Sequence, residues 1–148
     1  MRTKFLVFLR LAAGSIFVIS GFVKLMQPYQ NFLATIRAYE ILSAPTAVAL
    51  ARTMPWVEFL IGVFLIVGLL SRLSILVLWA LNTVFIGVIS SALIRRLPIQ
   101  ECGCFGDSFS LTPQQTLCLD IALWMVFVCL ASFFENARCF SLDKKFDR

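Results

Sequence analysis

Residues 73–94 contain no charged side chain. An apolar run of this kind is long enough to cross a bilayer, which takes about 20 residues as a helix. In lipid every backbone polar group must find its partner within the protein, so such a run folds as a helix. Composition extends the argument to the whole chain. Sixty per cent of the residues are hydrophobic and 14% are charged, whereas soluble domains carry about 25% charged residues. That excludes a disordered chain and argues against a soluble domain. The absence of histidine removes any His general base, His-ligated haem or His-bearing zinc site. The net charge of +5 is assigned to basic flanks that orient the spans, not to nucleic-acid binding. With 148 residues, four spans of about 20 residues leave only short loops. The expected architecture is therefore an all-α membrane protein, a single four-helix transmembrane domain over residues 1–148.

The expected spans are 5–26, 45–70, 73–94 and 113–134. The first carries Arg10 and Lys24, and Arg2 and Lys4 precede it. It has no small-x-small cleavage site, so an uncleaved span is expected rather than a signal peptide. Gly14 and Gly21 lie on one helix face with Ser20 beside them, a pattern that lets helix backbones approach in lipid. Between spans 1 and 2, Tyr29, Phe32, Leu33, Ile36 and Tyr39 repeat at helical spacing, which predicts a short amphipathic helix at the membrane interface. Pro45 starts the second span, Pro55 is expected to kink it, and Arg72 is expected to mark a short turn. Thr112-Pro113 reads as an N-cap with proline at the first helical position. Asn82 and Thr83 are expected to make helix–helix hydrogen bonds.

Orientation follows from the basic residues. With the N-terminus inside, eight of the 13 Lys and Arg fall on the inner side and five on the outer. This bias places both termini in the cytoplasm and the loop at 97–112 outside, although Arg95 and Arg96 run against it. The loop then lies in an oxidising compartment.

That loop holds Cys102-Gly103-Cys104-Phe105-Gly106. A disulfide across a single residue closes a small strained ring, which makes it reactive. Arg95 and Arg96 favour the thiolate, and Glu101 and Asp107 oppose it. Thiol–disulfide exchange is the first reading; ligation of Cu(I) or zinc by two thiolates and a turn with incidental cysteines are the others. Cys118, near the outer end of the fourth span, is a candidate resolving thiol, or simply a small hydrophobe. Cys129 is expected to pack, and Cys139 falls in the cytoplasmic tail.

Charges within spans are costly in lipid and should face the bundle interior or pair. Lys24, Glu58 and Asp120 all fall at the level of the cysteine loop, and a Lys24–Glu58 or Lys24–Asp120 pair would offset much of the burial cost. Snorkelling to the surface is the alternative. Arg10, near the inner side, is expected to be a snorkelling anchor.

Arg10, Gly14, Phe17, Ser20-Gly21 and Lys24, continued by Tyr39, Pro45, Pro55, Glu58, Gly62 and Gly68, resemble the DoxX-like membrane proteins. The run Cys102-Gly103-Cys104-Phe105-Gly106 is similar to the signature of the methylamine utilisation protein MauE branch. Two positions depart from the family pattern: Glu101 stands where Asp is usual, and Leu119 precedes Asp120 where a basic residue is usual. The resemblance covers about residues 5–135. It implies a bacterial four-helix protein of the inner (cytoplasmic) membrane that serves thiol redox and the maturation of periplasmic disulfide-bearing proteins. The implied partners are a periplasmic thioredoxin-like protein or a maturing substrate, together with membrane lipid, and not nucleic acid. Cys102 and Cys104 would be the exchanging pair, with Lys24, Glu58, Asp120 and Cys118 supporting the pocket beneath them. The bundle also looks like that of the vitamin K epoxide reductase group, without its Cys-x-x-Cys pair. No resident cofactor or metal is expected; a quinone is the group the resemblance leaves open, in a DoxX-like oxidoreductase subunit. A non-catalytic membrane scaffold or transport factor is the third reading.

Overall fold

The computed structural model describes residues 2–96 and 112–133. Five helices follow one another: α1 Arg2–Met26, α2 Tyr29–Ala38, α3 Ala44–Val67, α4 Ser71–Ile94 and α5 Pro113–Ser132. Four of them, over Lys4–Met26, Ala44–Val67, Ser71–Ile94 and Pro113–Ser132, are long and apolar enough to cross a membrane. Large apolar side chains also cover their outer faces, among them Phe5, Phe8, Trp56, Val84 and Met125. A surface of that kind is stable against lipid, not water. The chain is an all-α, multi-pass membrane protein, as its composition predicts.

Local sequence sets the boundaries. Pro28 separates α1 from α2. Ser43 precedes α3, with Pro45 in its first turn. Thr112 caps α5: its hydroxyl accepts from the Gln115 amide at 3.4 Å, and the Gln115 side chain accepts from the Thr112 amide at 3.2 Å. This reciprocal capping box, with Pro113 at the first helical position, satisfies two groups that the helix end would otherwise leave bare.

The expected boundaries around residue 70 move. Span 2 ends at Val67 rather than residue 70, because Gly68 turns left-handed at φ 77 and the amides of Gly68 and Leu69 both donate to the Phe64 carbonyl. That is how glycine closes a helix. Arg72, expected in a turn, lies in the first turn of α4, which already begins at Ser71. Leu70 makes the turn instead, with φ 49. Pro55 sits inside α3, which runs on through it.

The tightest packing is between α1 and α3. A Cβ added at Gly21 would lie 2.7 Å from the Phe59 amide nitrogen and 2.8 Å from the Pro55 carbonyl. At Gly62 it would lie 3.0 Å from the Val18 amide nitrogen. Gly21 leaves no room for a side chain and Gly62 leaves little, which is the small-residue packing expected in lipid. The central core gathers Leu6, Ala13, Phe17, Leu65, Ile75, Leu78, Leu123, Phe127 and Leu130, with the Phe17 and Phe127 rings 5.8 Å apart. On the other side α2 lays Phe32, Leu33 and Ile36 on Ala47, Val48 and Ala51 of α3. The predicted amphipathic helix thus covers the first half of α3.

Candidate functional site: a buried ion pair beside an apolar cavity

The site begins with a stripe on α1. Leu6, Arg10, Ala13, Phe17, Ser20 and Lys24 are all buried; their spacing of three and four keeps them on one helical face. Ala47, Ala51, Pro55, Glu58, Gly62 and Leu65 form the matching face of α3. Where the two stripes cross near the end of α1, Lys24 meets Glu58. Nζ lies 2.9 Å from Oε1 and 2.8 Å from Oε2, and the two side chains are 1% and 0% exposed. Ser20 Oγ donates to Oε2 at 3.0 Å. The carboxylate therefore accepts three hydrogen bonds, and opposite charges cancel within one cluster. Burial of this sort is tolerated only when geometry and hydrogen bonding are this complete. The expected Lys24–Glu58 pairing is present, and surface snorkelling of Lys24 is not.

The ammonium also lies over two rings, 4.9 Å from the centroid of Phe32 on α2 and 5.6 Å from that of Phe85 on α4. These are cation–π distances. Lys24 therefore ties four elements together: its own helix, α2, α3 and α4. Beside it opens a cavity of about 270 Å³ between α2, α3 and α4. Apart from Lys24 its wall is almost wholly apolar, including Phe32, Ile36, Leu50, Met54, Phe85 and Val88.

At the end of α4, the guanidinium of Arg95 closes this region. Nη1 donates to the Tyr39 carbonyl at 3.0 Å, and Nη2 lies 3.5 Å from Oε2 of Glu40. Glu40 takes a left-handed turn at φ 52, which ends α2 beneath Arg95. A second clasp joins the start of α2 to α3, with Arg52 lying 4.7 Å over the Tyr29 ring.

Asp120 is also buried, in α5. Its backbone carbonyl accepts from Asn82 Nδ2 at 2.7 Å. Next to this, Trp124 Nε1 donates to Thr83 Oγ1 at 3.2 Å, and the Trp79 and Trp124 rings are 6.0 Å apart. These contacts bear out the helix–helix roles expected of Asn82 and Thr83. They lock α4 to α5, the two helices that bracket the cysteine loop. Among the described residues, the ion pair of Lys24 is with Glu58.

Arg10 corrects the sequence reading. It is 2% exposed, enclosed by protein and not snorkelling, because the phase that buries Leu6, Ala13 and Phe17 turns position 10 inward too. The roles of Phe32 and Phe85 over Lys24 and of Ser20 on Glu58 were also not foreseen. The signal for Ser20 was available: it lies one helical turn before Lys24 on the same face.

The cysteines divide. Cys118 is exposed on α5 and Cys129 is half-buried, packed against the central core as expected. Cys118 lines a lateral groove with Leu9, Ala12 and Ile16 of α1. Cys102, Cys104, Glu101, Asp107 and Cys139 lie outside the described residues.

Neither a curated protein nor a solved structure matches the chain. The family model described as methylamine utilisation protein MauE matches residues 2–134, which takes in all five helices and the cysteine loop. By that match the chain belongs to the methylamine utilisation protein MauE family.

Proposed function

We propose that this protein is an inner-membrane accessory factor that performs thiol–disulfide exchange through Cys102 and Cys104 for periplasmic proteins under maturation. The observation that carries the reading is the anchoring of the loop that bears them. Residues 97–111 are tethered between α4 and α5, which Asn82 and Trp124 bind to each other. The Arg95 clasp and the Thr112 capping box hold the two ends. Those ends lie at the same end of the bundle as the Lys24–Glu58 pair. Membership of the MauE family supports an accessory role, and the first-span pattern fits the wider DoxX-like group.

In the exchange, a thiolate of the substrate attacks one sulfur of the Cys102–Cys104 disulfide. A mixed disulfide forms and the other loop sulfur leaves as thiolate. A second substrate thiolate then resolves the mixed disulfide, so the substrate is oxidised by two electrons and the loop reduced by two. A thioredoxin-like partner in its disulfide form reoxidises the loop by the reverse steps. Lys24 and Glu58 join the end of α1 to the middle of α3.

The test is a trap. A Cys104→Ser variant keeps a single loop thiol and cannot resolve a mixed disulfide through its own neighbour. Isolation from membranes without reductant should yield a disulfide-linked partner bearing a redox-active or newly formed cysteine pair. Full maturation activity after loss of both loop cysteines would refute the exchange and leave a scaffold.

A further inference from the structure

We infer, independently of the cysteine loop, that Arg52 of α3, braced on Tyr29 of α2, binds the phosphate of an anionic membrane lipid.

The exterior of the bundle marks where hydrocarbon ends. On α1 the exposed large side chains are apolar from Phe5 to Met26, a rise of about 31 Å at 1.5 Å per residue. That matches the hydrocarbon thickness of about 30 Å. On α3 the exposed large apolar side chains begin at Trp56 and continue with Val57, Leu60 and Val67. Before Trp56 the helix turns Thr46, Arg52 and Thr53 outward instead. The two helices run antiparallel, since Gly14 meets Ile66 and Gly21 meets Phe59, and the Lys24–Glu58 pair fixes their register. Met26 lies two residues past Lys24 and Trp56 two residues before Glu58, so both helices change character at one level. Tryptophan is enriched at that boundary. Arg52 stands one turn further out, about 6 Å along α3. The headgroup layer occupies roughly the next 5–7 Å, which puts Arg52 level with the lipid phosphates.

The geometry at Arg52 suits that ligand. Its guanidinium lies 4.7 Å over the Tyr29 ring, and Nη2 donates to the Tyr29 hydroxyl at 3.4 Å. A guanidinium carries five N–H donors, so its others have no acceptor among the described residues. Neither ion pair of those residues, Lys24–Glu58 or Arg95–Glu40, includes it. The Tyr29 hydroxyl accepts from Arg52 and keeps its own O–H to donate. An arginine that merely snorkels needs no partner in the protein. This one is held against α2, so its planar fork is presented ready-made, the arrangement that takes a phosphate bidentately. Basic sites among spans collect anionic headgroups in this way. Charge selects the lipid: a zwitterionic headgroup brings its own cation to compete for the phosphate, and an anionic one does not. The acyl chains then run down the apolar face that begins at Trp56 and continues at Leu60.

The full chain, purified in detergent, is titrated with a short-chain phosphatidylglycerol, with the phosphatidylcholine of the same chains, and with inorganic phosphate. Native mass spectrometry reads the adducts. The expected result is a one-to-one phosphatidylglycerol adduct at least about tenfold tighter than that of phosphatidylcholine, roughly the effect of one charge-assisted hydrogen bond. Arg52→Gln should abolish the preference. Tyr29→Phe keeps the ring, loses the hydroxyl and should weaken the preference by a smaller factor. Both should keep their helical circular dichroism. Arg72→Gln removes the same charge from an exposed position at the start of α4 and should leave the preference intact. Equal binding of the two lipids, or an undiminished preference in Arg52→Gln, would overturn the proposal. So would an equal loss in Arg72→Gln, which would make net charge the cause. Inorganic phosphate binding as tightly as the lipid would also overturn it, since the site would then be one for a free anion.

Discussion

The ammonium of Lys24 grips both oxygens of the Glu58 carboxylate, at 2.9 and 2.8 Å, across 34 positions of sequence. Neither side chain has a water-facing outlet. Removing one partner strands a buried charge, at a cost of about 3–5 kcal/mol. Lys24→Met should therefore lower unfolding stability in detergent by about that amount, and Glu58→Met likewise. The double variant should lose much less than the sum of the two. Strict additivity in the thermodynamic cycle would mean the two charges are not coupled.

Glycine-mediated contact makes a separate prediction. A methyl group at Gly21 would press on the backbone of α3, so Gly21→Ala should part α1 from α3 and cost about 1–3 kcal/mol. Gly87 is the control, because a methyl group there meets nothing within 4 Å. Gly87→Ala should be neutral or gain up to about 1 kcal/mol from helix propensity. Comparable losses in the two variants would place the cost in the helix and not in the packing.

Asn82 gives a smaller effect. Its Nδ2 bonds the Asp120 carbonyl at 2.7 Å, while its Oδ1 is buried with no partner among the described residues. Asn82→Leu loses one hydrogen bond, which in membranes averages about 0.6 kcal/mol, and also relieves a buried acceptor. Its net effect on unfolding should be under about 1 kcal/mol. A loss of several kcal/mol would show that the α4–α5 contact depends on this bond.

How much of this was written in the sequence can be seen on α1. Positions 6, 10, 13, 17, 20 and 24 form one buried face, and any residue on it turns inward whatever its charge. The phase was readable from Leu6, Ala13 and Phe17, yet Arg10 was read by its chemistry as a surface anchor. Lys24 and Glu58 were legible because lipid makes a lone charge expensive and few opposite charges were available within the spans. Phe32 and Phe85 were not. Their meeting over Lys24 depends on how α2 folds back along α3, and helical spacing within α2 gives its face but not its destination. The end of α3 was misplaced although its signal was local: Gly68 supplies the left-handed residue that closes the helix.

Cysteine accessibility separates the thiols. Cys102 and Cys104 are expected to form a disulfide that mild reductant opens first, since a strained ring has a higher potential. Differential alkylation of membranes, read by mass, should show both protected under oxidising conditions and labelled after reduction. Full labelling under oxidising conditions would refute the exchange, and labelling released only by a chelator would point to a metal. Cys118 is exposed in the lateral groove and should react with a membrane-permeant maleimide. Cys129, packed against the core, should react slowly until the bundle unfolds.

Orientation can be read directly. Reporter fusions at the C-terminus and within residues 97–112 should place the first in the cytoplasm and the second in the periplasm. A periplasmic C-terminal reporter would invert the bundle and take the cysteine loop out of its oxidising setting.

The turn at Gly68 and Leu70 acts as a fulcrum. Only residues 68–70 separate α3 from α4, and both ends of that turn sit in left-handed conformations that fix its shape. The two helices resemble the arms of tongs hinged at that point. Leu50, on the cavity wall, lies about 25 Å along α3 from the hinge at 1.5 Å per residue. A tilt of about 5° between the arms therefore shifts that wall by about 2 Å, over a lever of that length. The Lys24 cluster, at the far end of that lever from the turn, therefore sets the width of the cavity.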